Sequence, residues 1–339
     1  MGGAHQQELA TQVRQEDAAS WHLGDTAGCS LRLVGGLDIS CATQPTEGSS
    51  GDTAVAALVV LSFPALSTVY EDFLQLQLEV PYLPGFLGFR ECPAYMQLLE
   101  RAREAGVVPQ VLLVDGFGVL HPRRLGSASQ LGVLAGVATI GVAKNLLAVD
   151  GLPGEREVRA AMRAGQWAQQ SGHSADHQDE GQHVVIEHQL SQHESKPGGF
   201  QRRTARLAGL RFDAVCQLGS SAAATAGPGG LRVPPDPSAP AIAIAPAPPV
   251  PAAVAEQPHP STPMAPRLML RGEGDEVLGA AVCPPGCQHP IYVSVGHLVS
   301  LPTAVDITLR CCRHRVPEPI RQADLKSRER VRQLAAKQA

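Results

Sequence analysis

Three acids stand where an acid is costly. Asp38 falls inside the apolar run Leu31–Ser40, Glu91 at the opening of a helical stretch, and Asp115 at the end of the apolar run Val111–Val114. If the strands carrying Asp38 and Asp115 are neighbours, their carboxylates face each other and repel unless a cation sits between them. Hard divalent ions such as Mg²⁺ take oxygen ligands and keep several waters for a phosphate. A site of this kind activates water and steadies charge on phosphorus. Taken singly, each acid has a plainer reading as a solvated cap. The three acids, in this order, point to metal-assisted chemistry.

The elements that must hold these residues follow from the apolar pattern. Gln6–Trp21 reads as a short amphipathic helix with Leu9 and Val13 on one face. Leu31–Ser40, Ala54–Phe63 and Thr68–Val80 read as three strands in an antiparallel meander. Pro81–Phe89 is a stiff Pro/Gly loop, and a helix opens at Arg90–Pro93 and ends at Gly106. Val111–Val114 has the length and branching of a buried strand. After it come a Gly/Ser turn at 126–129, a small-residue helix at 130–134 and the strand Ala138–Ala143. The expected fold is α/β: a mixed central sheet, meander plus parallel strands, flanked by helices. Gly116 and Gly118 leave backbone bare just past Asp115, so a flat ligand can lie close to it.

The regular pattern breaks at Gly151. About 115 residues of His/Gln/Ser-rich and then Ala/Pro-rich chain read as a mostly disordered insert, with a local helix at Glu155–Trp167. Order returns at Leu268, with strands at Val277–Cys283 and Ile291–Val295, a helix at Ser300–Arg313 and a basic helical tail at Pro317–Gln333. The division is therefore an N-terminal helix and flank (1–30), a first core part (31–150), the insert (151–266), a second core part with the C-terminal helix (267–332) and a tail (333–339).

Composition narrows the class. Hydrophobic residues make up 44% of the 339-residue chain, enough for a sizeable core, and the net charge of −4 excludes a protein that is basic throughout. The C-terminal end is different: from Arg310 onward there are nine Lys/Arg against three Asp/Glu, a source of sequence-blind affinity for phosphate backbones. Eight cysteines in so long a chain are no disulfide framework and suggest a reducing compartment, cytoplasmic or nuclear. No secretory signal or myristoylation pattern is expected from the N-terminal stretch, and the longest apolar run, Leu131–Ala143, is too short to span a membrane.

At VGGLDIS (34–40), PYLPGFLGFRE (81–91), VLLVDGFGVLHPRRLGSASQLGV (111–133), IGVAKNLL (140–147) and IYVSVGH (291–297), the chain resembles the endonuclease V family. The resemblance covers about 30–150 and 268–330 and leaves out the insert. It implies an RNase H-like fold and a hydrolase that cuts nucleic acid, RNA or DNA, one nucleotide 3′ of hypoxanthine (inosine or deoxyinosine), leaving 5′-phosphate ends and using Mg²⁺ or Mn²⁺. The family's metal carboxylates fall on Asp38 and Asp115, with Glu91 completing the set, its active-site lysine on Lys144 and its active-site histidine on His297. In these roles Lys144, which closes the apolar run Ala138–Ala143, would offer a fixed positive charge to a phosphate or an attacking water, and His297, which follows a glycine at the end of Ile291–Val295, would ligate a metal or shuttle a proton; their plainer readings are a surface lysine and a hydrogen-bonded loop histidine. Pro81, Tyr82, Leu83 and Pro84 match the wedge that fills the gap left by a base rotated out of its stack. Gly85, Leu87, Gly116, His121, Gly126 and Ser127 then line the base pocket. Bare backbone amides suit hypoxanthine, which has a carbonyl where adenine has an amino group. Arg123 and Arg124 either meet phosphates or stand solvated at a corner. One departure is Gln130, where the family has a histidine.

The implied partner is inosine-containing nucleic acid, single- or double-stranded, bound by a monomer with no membrane contact. Two rivals remain open: a non-catalytic inosine reader that keeps the pocket, and another RNase H-like nuclease such as a junction resolvase, against which the PYLPG stretch counts. His173, His177, His183, His188 and His193 read better as solvated than as a metal site, and Cys283, Cys287, Cys311 and Cys312 are poorly spaced for zinc.

Overall fold

A computed structural model of the chain describes residues 2–18, 20–21, 23, 29–42, 52–78, 83–149, 151–170 and 267–338. The chain divides into a unit formed by Met1–Leu190 with Thr262–Ala339 and a second unit, Ser191–Ser261; every described residue belongs to the first.

The described elements are α1 (Gly2–Ala10), β1 (Leu33–Cys41), β2 (Asp52–Ser62), β3 (Thr68–Leu78), α2 (Leu87–Glu104), β4 (Val111–Asp115), α3 (Ser127–Ala135), β5 (Ala138–Ala143), α4 (Glu155–Gln170), β6 (Arg267–Arg271), β7 (Val277–Val282), β8 (Ile291–His297), α5 (Leu301–Arg310) and α6 (Glu318–Gln338). The strands form one open mixed sheet in the order β3-β2-β1-β4-β5-β8-β7-β6. The meander β1–β2–β3 is antiparallel, β1–β4 and β4–β5 are parallel, and β5–β8–β7–β6 returns to antiparallel pairing. The mixed α/β sheet expected from the apolar runs is present. The helix expected over Gln6–Trp21 is shorter and ends at Ala10.

Both faces of the sheet are covered. On one, Val111, Leu113, Ile140 and Val142 pack against Val305 and Ile307 of α5 and Ile320 and Ala323 of α6. On the other, Leu112 and Val114 pack against Tyr95 and Leu98 of α2 and Leu131 of α3. Strands buried on both faces have no polar side, which is why β4 and β5 read as unbroken apolar runs. Each fully buried Leu or Val contributes about 1.5–3 kcal/mol, and this burial offsets the cost of gathering acids at one sheet end. A close approach occurs at Gly36 in β1: a side chain there would collide with the backbone of Pro319 and Ile320 at the start of α6. Only glycine lets that helix lie directly on the strand.

Candidate active site

The three parallel strands β1, β4 and β5 end side by side, and the charged residues sit at those carboxyl ends, where open α/β sheets bind their ligands. Leu37 pairs with Val114 and Asp115 with Val142. The ladder therefore places Asp38 beside Asp115 on neighbouring strands, about 4.8 Å apart. Lys144 follows β5 directly, and its Nζ donates to Asp115 Oδ2 at 2.7 Å. Glu91 reaches the same end from the first turns of α2. A residue not singled out in the sequence, Asp324 of α6, completes the group: its Oδ2 lies 4.0 Å from Lys144 Nζ, and Arg328 holds its other oxygen at 2.6 Å.

Four carboxylates and one ammonium leave an excess of negative charge. Burial, and then the charges of Asp115 and Asp324, push the Asp38 carboxyl up to about 7, against the pull of Lys144 and of Ser327. Burial, with Asp38 and Asp115 next, pushes Glu91 up to about 8. Burial works against the charge of Lys144, but Asp115, Asp324 and Asp38 outweigh it and its pKa rises. Asp38 is steered by two hydroxyls: Ser327 Oγ lies 3.3 Å and Ser40 Oγ 3.5 Å from its Oδ2, and the two hydroxyls are 2.7 Å apart. Ser40 and Ser327 are further residues that sequence reasoning passes over.

Beside the acids opens a cleft of about 310 Å³. Gly85, Leu87, Gly116, His121, Gly126 and Ser127 all line it, together with Pro84, Asp115 and Lys144. Residues expected to hold a base are thus brought to the same cavity as Asp115 and Lys144. The loop at its rim is braced from behind. Arg123 donates from Nη2 to Gly85 O at 2.6 Å and lies 4.1 Å over the Phe86 ring. Arg124 donates to His121 O at 2.9 Å and pairs with Glu276. Both arginines therefore hold protein groups. Burial, then Arg123, lowers the His121 pKa to about 4, so its ring is neutral at pH 7.

Two expectations need correction or limitation. His297 is not at this end of the sheet: it pairs with Thr139 near the start of β5, three residues back from the position opposite Asp115, or about 10 Å along the strand. Its Nδ1 accepts from the Arg14 amide at 3.2 Å. The expectation fails because strand-end position alone does not say which end, and β8 runs antiparallel to β5. Pro81 and Tyr82 lie outside the described residues; Leu83 is half-buried and Pro84 exposed. Gln130 is buried in α3 against Gly88, and its Oε1 has no hydrogen-bond partner.

The family model for Endonuclease V matches residues 7–191 and 239–325. The chain belongs to the Endonuclease V family. Human Endonuclease V is 33% identical over 332 residues, covering 96% of this chain and 81% of that protein. The crystal structure of the human enzyme superposes with a TM-score of 0.64 at 31% identity, covering 98% of each chain. The Ciona intestinalis Endonuclease V, solved with a 23mer DNA containing an inosine followed by a ribo-adenosine, gives 0.63 at 25% identity over 98% of this chain and 96% of that one. The chain is thus a nuclease-type hydrolase of phosphodiester bonds by family.

Endonuclease V enzymes are metal-dependent in general, and the chemistry of the donor set fits a hard cation. The donors are carboxylate oxygens, Glu91 Oε2 is buried without a hydrogen-bond partner, and the cluster is short of positive charge. Among the described residues, no three Asp, Glu, His or Cys side chains converge tightly enough in this conformation to cage an ion; Lys144 closes on Asp115 instead. The signal that marks Asp324 is visible only in retrospect: it borders the buried stripe Ile320, Ala323 and Ser327 of an otherwise basic helix.

Proposed function

We propose that this protein is a metal-dependent endonuclease that hydrolyses the phosphodiester one nucleotide 3′ of inosine or deoxyinosine, leaving a 5′-phosphate. The observation that carries the reading is the meeting of Asp38, Glu91, Asp115, Asp324 and Lys144 at one sheet end, beside a cleft lined by bare backbone. Asp38 and Asp115, with Glu91 and Asp324, would hold a divalent cation, Mg²⁺ or Mn²⁺. When bound, such an ion supplies Lewis-acid charge for a phosphoryl oxygen and makes a water more acidic. Lys144 keeps a fixed positive charge beside the scissile phosphate. The cleft, too small for a stacked pair, admits a single base turned out of its strand. His297 is left out of the chemistry.

The protein would act as a monomer in the cytoplasm or nucleus, in keeping with seven free thiols among its described cysteines and with no described helix long and apolar enough to cross a membrane. The deciding experiment uses matched RNA and DNA strands with one inosine, incubated with Mg²⁺, Mn²⁺ or chelator, and maps the product ends. Cleavage at the second phosphate 3′ of inosine, abolished by chelator, is expected. Binding to inosine strands that stay intact at saturating Mn²⁺ would make the protein a reader instead.

A further inference from the structure

Lys144 leaves β5 where its pairing with β8 stops. The last matched pair is Ala143 opposite Tyr292. Carried further, the ladder would meet Ile291, the first residue of β8, and then Pro290, which has no amide hydrogen to donate. The donors come instead from a side chain. Arg315 Nη2 donates to the Lys144 carbonyl at 2.6 Å and to the Pro290 carbonyl at 2.8 Å, and Nε also reaches Pro290 O, at 3.3 Å. One planar guanidinium thus joins the two chain ends, and its fork fixes direction as well as distance.

Arg315 is half-buried in the connection between α5 and α6. That connection is closed on itself: the Glu318 amide donates to Cys311 O at 2.8 Å. The same short segment therefore holds the main chain of Lys144 and leads into the helix that carries Asp324. The Lys144 ammonium spans these two parts, 2.7 Å from Asp115 and 4.0 Å from Asp324. A lysine side chain has up to about 2 kcal/mol of rotamer freedom to lose, so a drifting root would let the ammonium leave the acids.

We propose that Arg315 is a positioning residue for Lys144: by joining the Lys144 carbonyl to that of Pro290 and to the root of α6, it keeps the ammonium between Asp115 and Asp324. Arg315 acts only through the lysine. The inference rests on reading Lys144 as the fixed charge beside the scissile phosphate. Arg313, two residues earlier in the same connection, is a matched control. It too donates to a main-chain carbonyl, Ala65 O at 2.6 Å. Ala65 lies in the turn from β2 to β3, just past Ser62, which pairs with Leu33 at the start of β1 and so at the other end of that strand from Asp38.

The test uses the full chain as wild type, Arg315→Gln and Arg313→Gln. Cleavage of inosine strands, thermal melting and the labelling of Lys144 by an amine-acylating reagent are measured together, with the exposed Lys337 as internal reference. Arg315→Gln is expected to lower kcat about tenfold, with KM within about twofold, and to raise the labelling of Lys144 severalfold. Arg313→Gln should change melting at most and leave kcat and labelling at their wild-type values. If Arg315→Gln does not fold, Arg315→Lys, which keeps the charge and loses the fork, is read in the same way. Unchanged labelling of Lys144 or an unchanged kcat overturns the proposal, and so does a loss of rate and melting shared equally by the two glutamine variants. If the wild type fails to cut inosine strands, the functional reading falls instead, and labelling alone decides whether Arg315 holds Lys144 in place.

Discussion

At 2.7 Å from Asp115 and 4.0 Å from Asp324, the Lys144 ammonium sits between an acid of the sheet and an acid of α6. That position separates residues to which the proposed function gives a part in the chemistry from residues merely nearby in the chain pattern. Asp324→Asn removes one of four carboxylates and is expected to lower cleavage by about 100-fold or more, while strand binding persists. His297→Ala, at the far end of β5, should change the rate by less than about threefold; a collapse of activity there would contradict the placement. His121 gives a pH signature. Its folded pKa of about 4 lies below the ordinary histidine value of about 6.5. As pH falls below 6.5 the unfolded chain takes up a proton that the folded protein refuses, so stability is full above about 6.5 and lost on the way down to about 4, by about 3 kcal/mol. Melting curves of wild type and His121→Gln between pH 8 and 4.5 check this: the wild type should lose more stability on acidification, and parallel curves would contradict it.

The helix that carries Asp324 reaches the site because β1 lacks a side chain at Gly36. Gly36→Ala would press a methyl into Pro319 and Ile320, at a cost of about 2 kcal/mol. Because Asp324 and Ser327 ride on the same helix, cleavage should fall further than the stability loss alone explains; a variant with wild-type denaturant midpoint and rate would refute the argument. The sheet is largely legible in the amino-acid sequence for a physical reason: β4 and β5 are buried on both faces, so burial leaves an unbroken apolar mark. The five residues of β6 alternate over too short a span to register as a strand. α1 is misjudged in length because its key buried residue is polar: the apolar-face criterion looks to Leu9 and Val13, whereas the helix stops at Ala10 and buries Gln6. Lys144 is legible through the family resemblance; Asp38, Glu91 and Asp115 are legible because each interrupts or closes an apolar element. Asp324 does neither, and only the docking of α6 on β1 reveals it. His297 misleads because local pattern carries no information on strand direction.

At the scale of the whole chain, the family model leaves 192–238 unmatched between two blocks, and all the site residues lie outside that stretch. Read from the sequence as an insert, this segment adds chain length, and added length costs only about 0.6 kcal/mol for each doubling. Excising 195–235 should therefore leave the melting temperature and inosine cleavage close to the full chain, whereas loss of cleavage with melting intact would give this segment a part in the reaction. Of the expected insert at 151–266, residues 171–266 fall outside the described residues, while 151–170 carry α4, whose Val158 and Met162 are buried. What the described ones show is a site assembled from both sides of it: Ser327 meets Asp38 across 289 positions. Protein synthesis delivers the chain from its N-terminus, and domains settle as they emerge. A nascent chain halted before α6 has three acids in hand, no Asp324 and no hydroxyl from Ser327 on Asp38. Translation itself thereby sets the moment at which the cluster is complete, because its fourth carboxylate and one of the two hydroxyls on Asp38 arrive with α6.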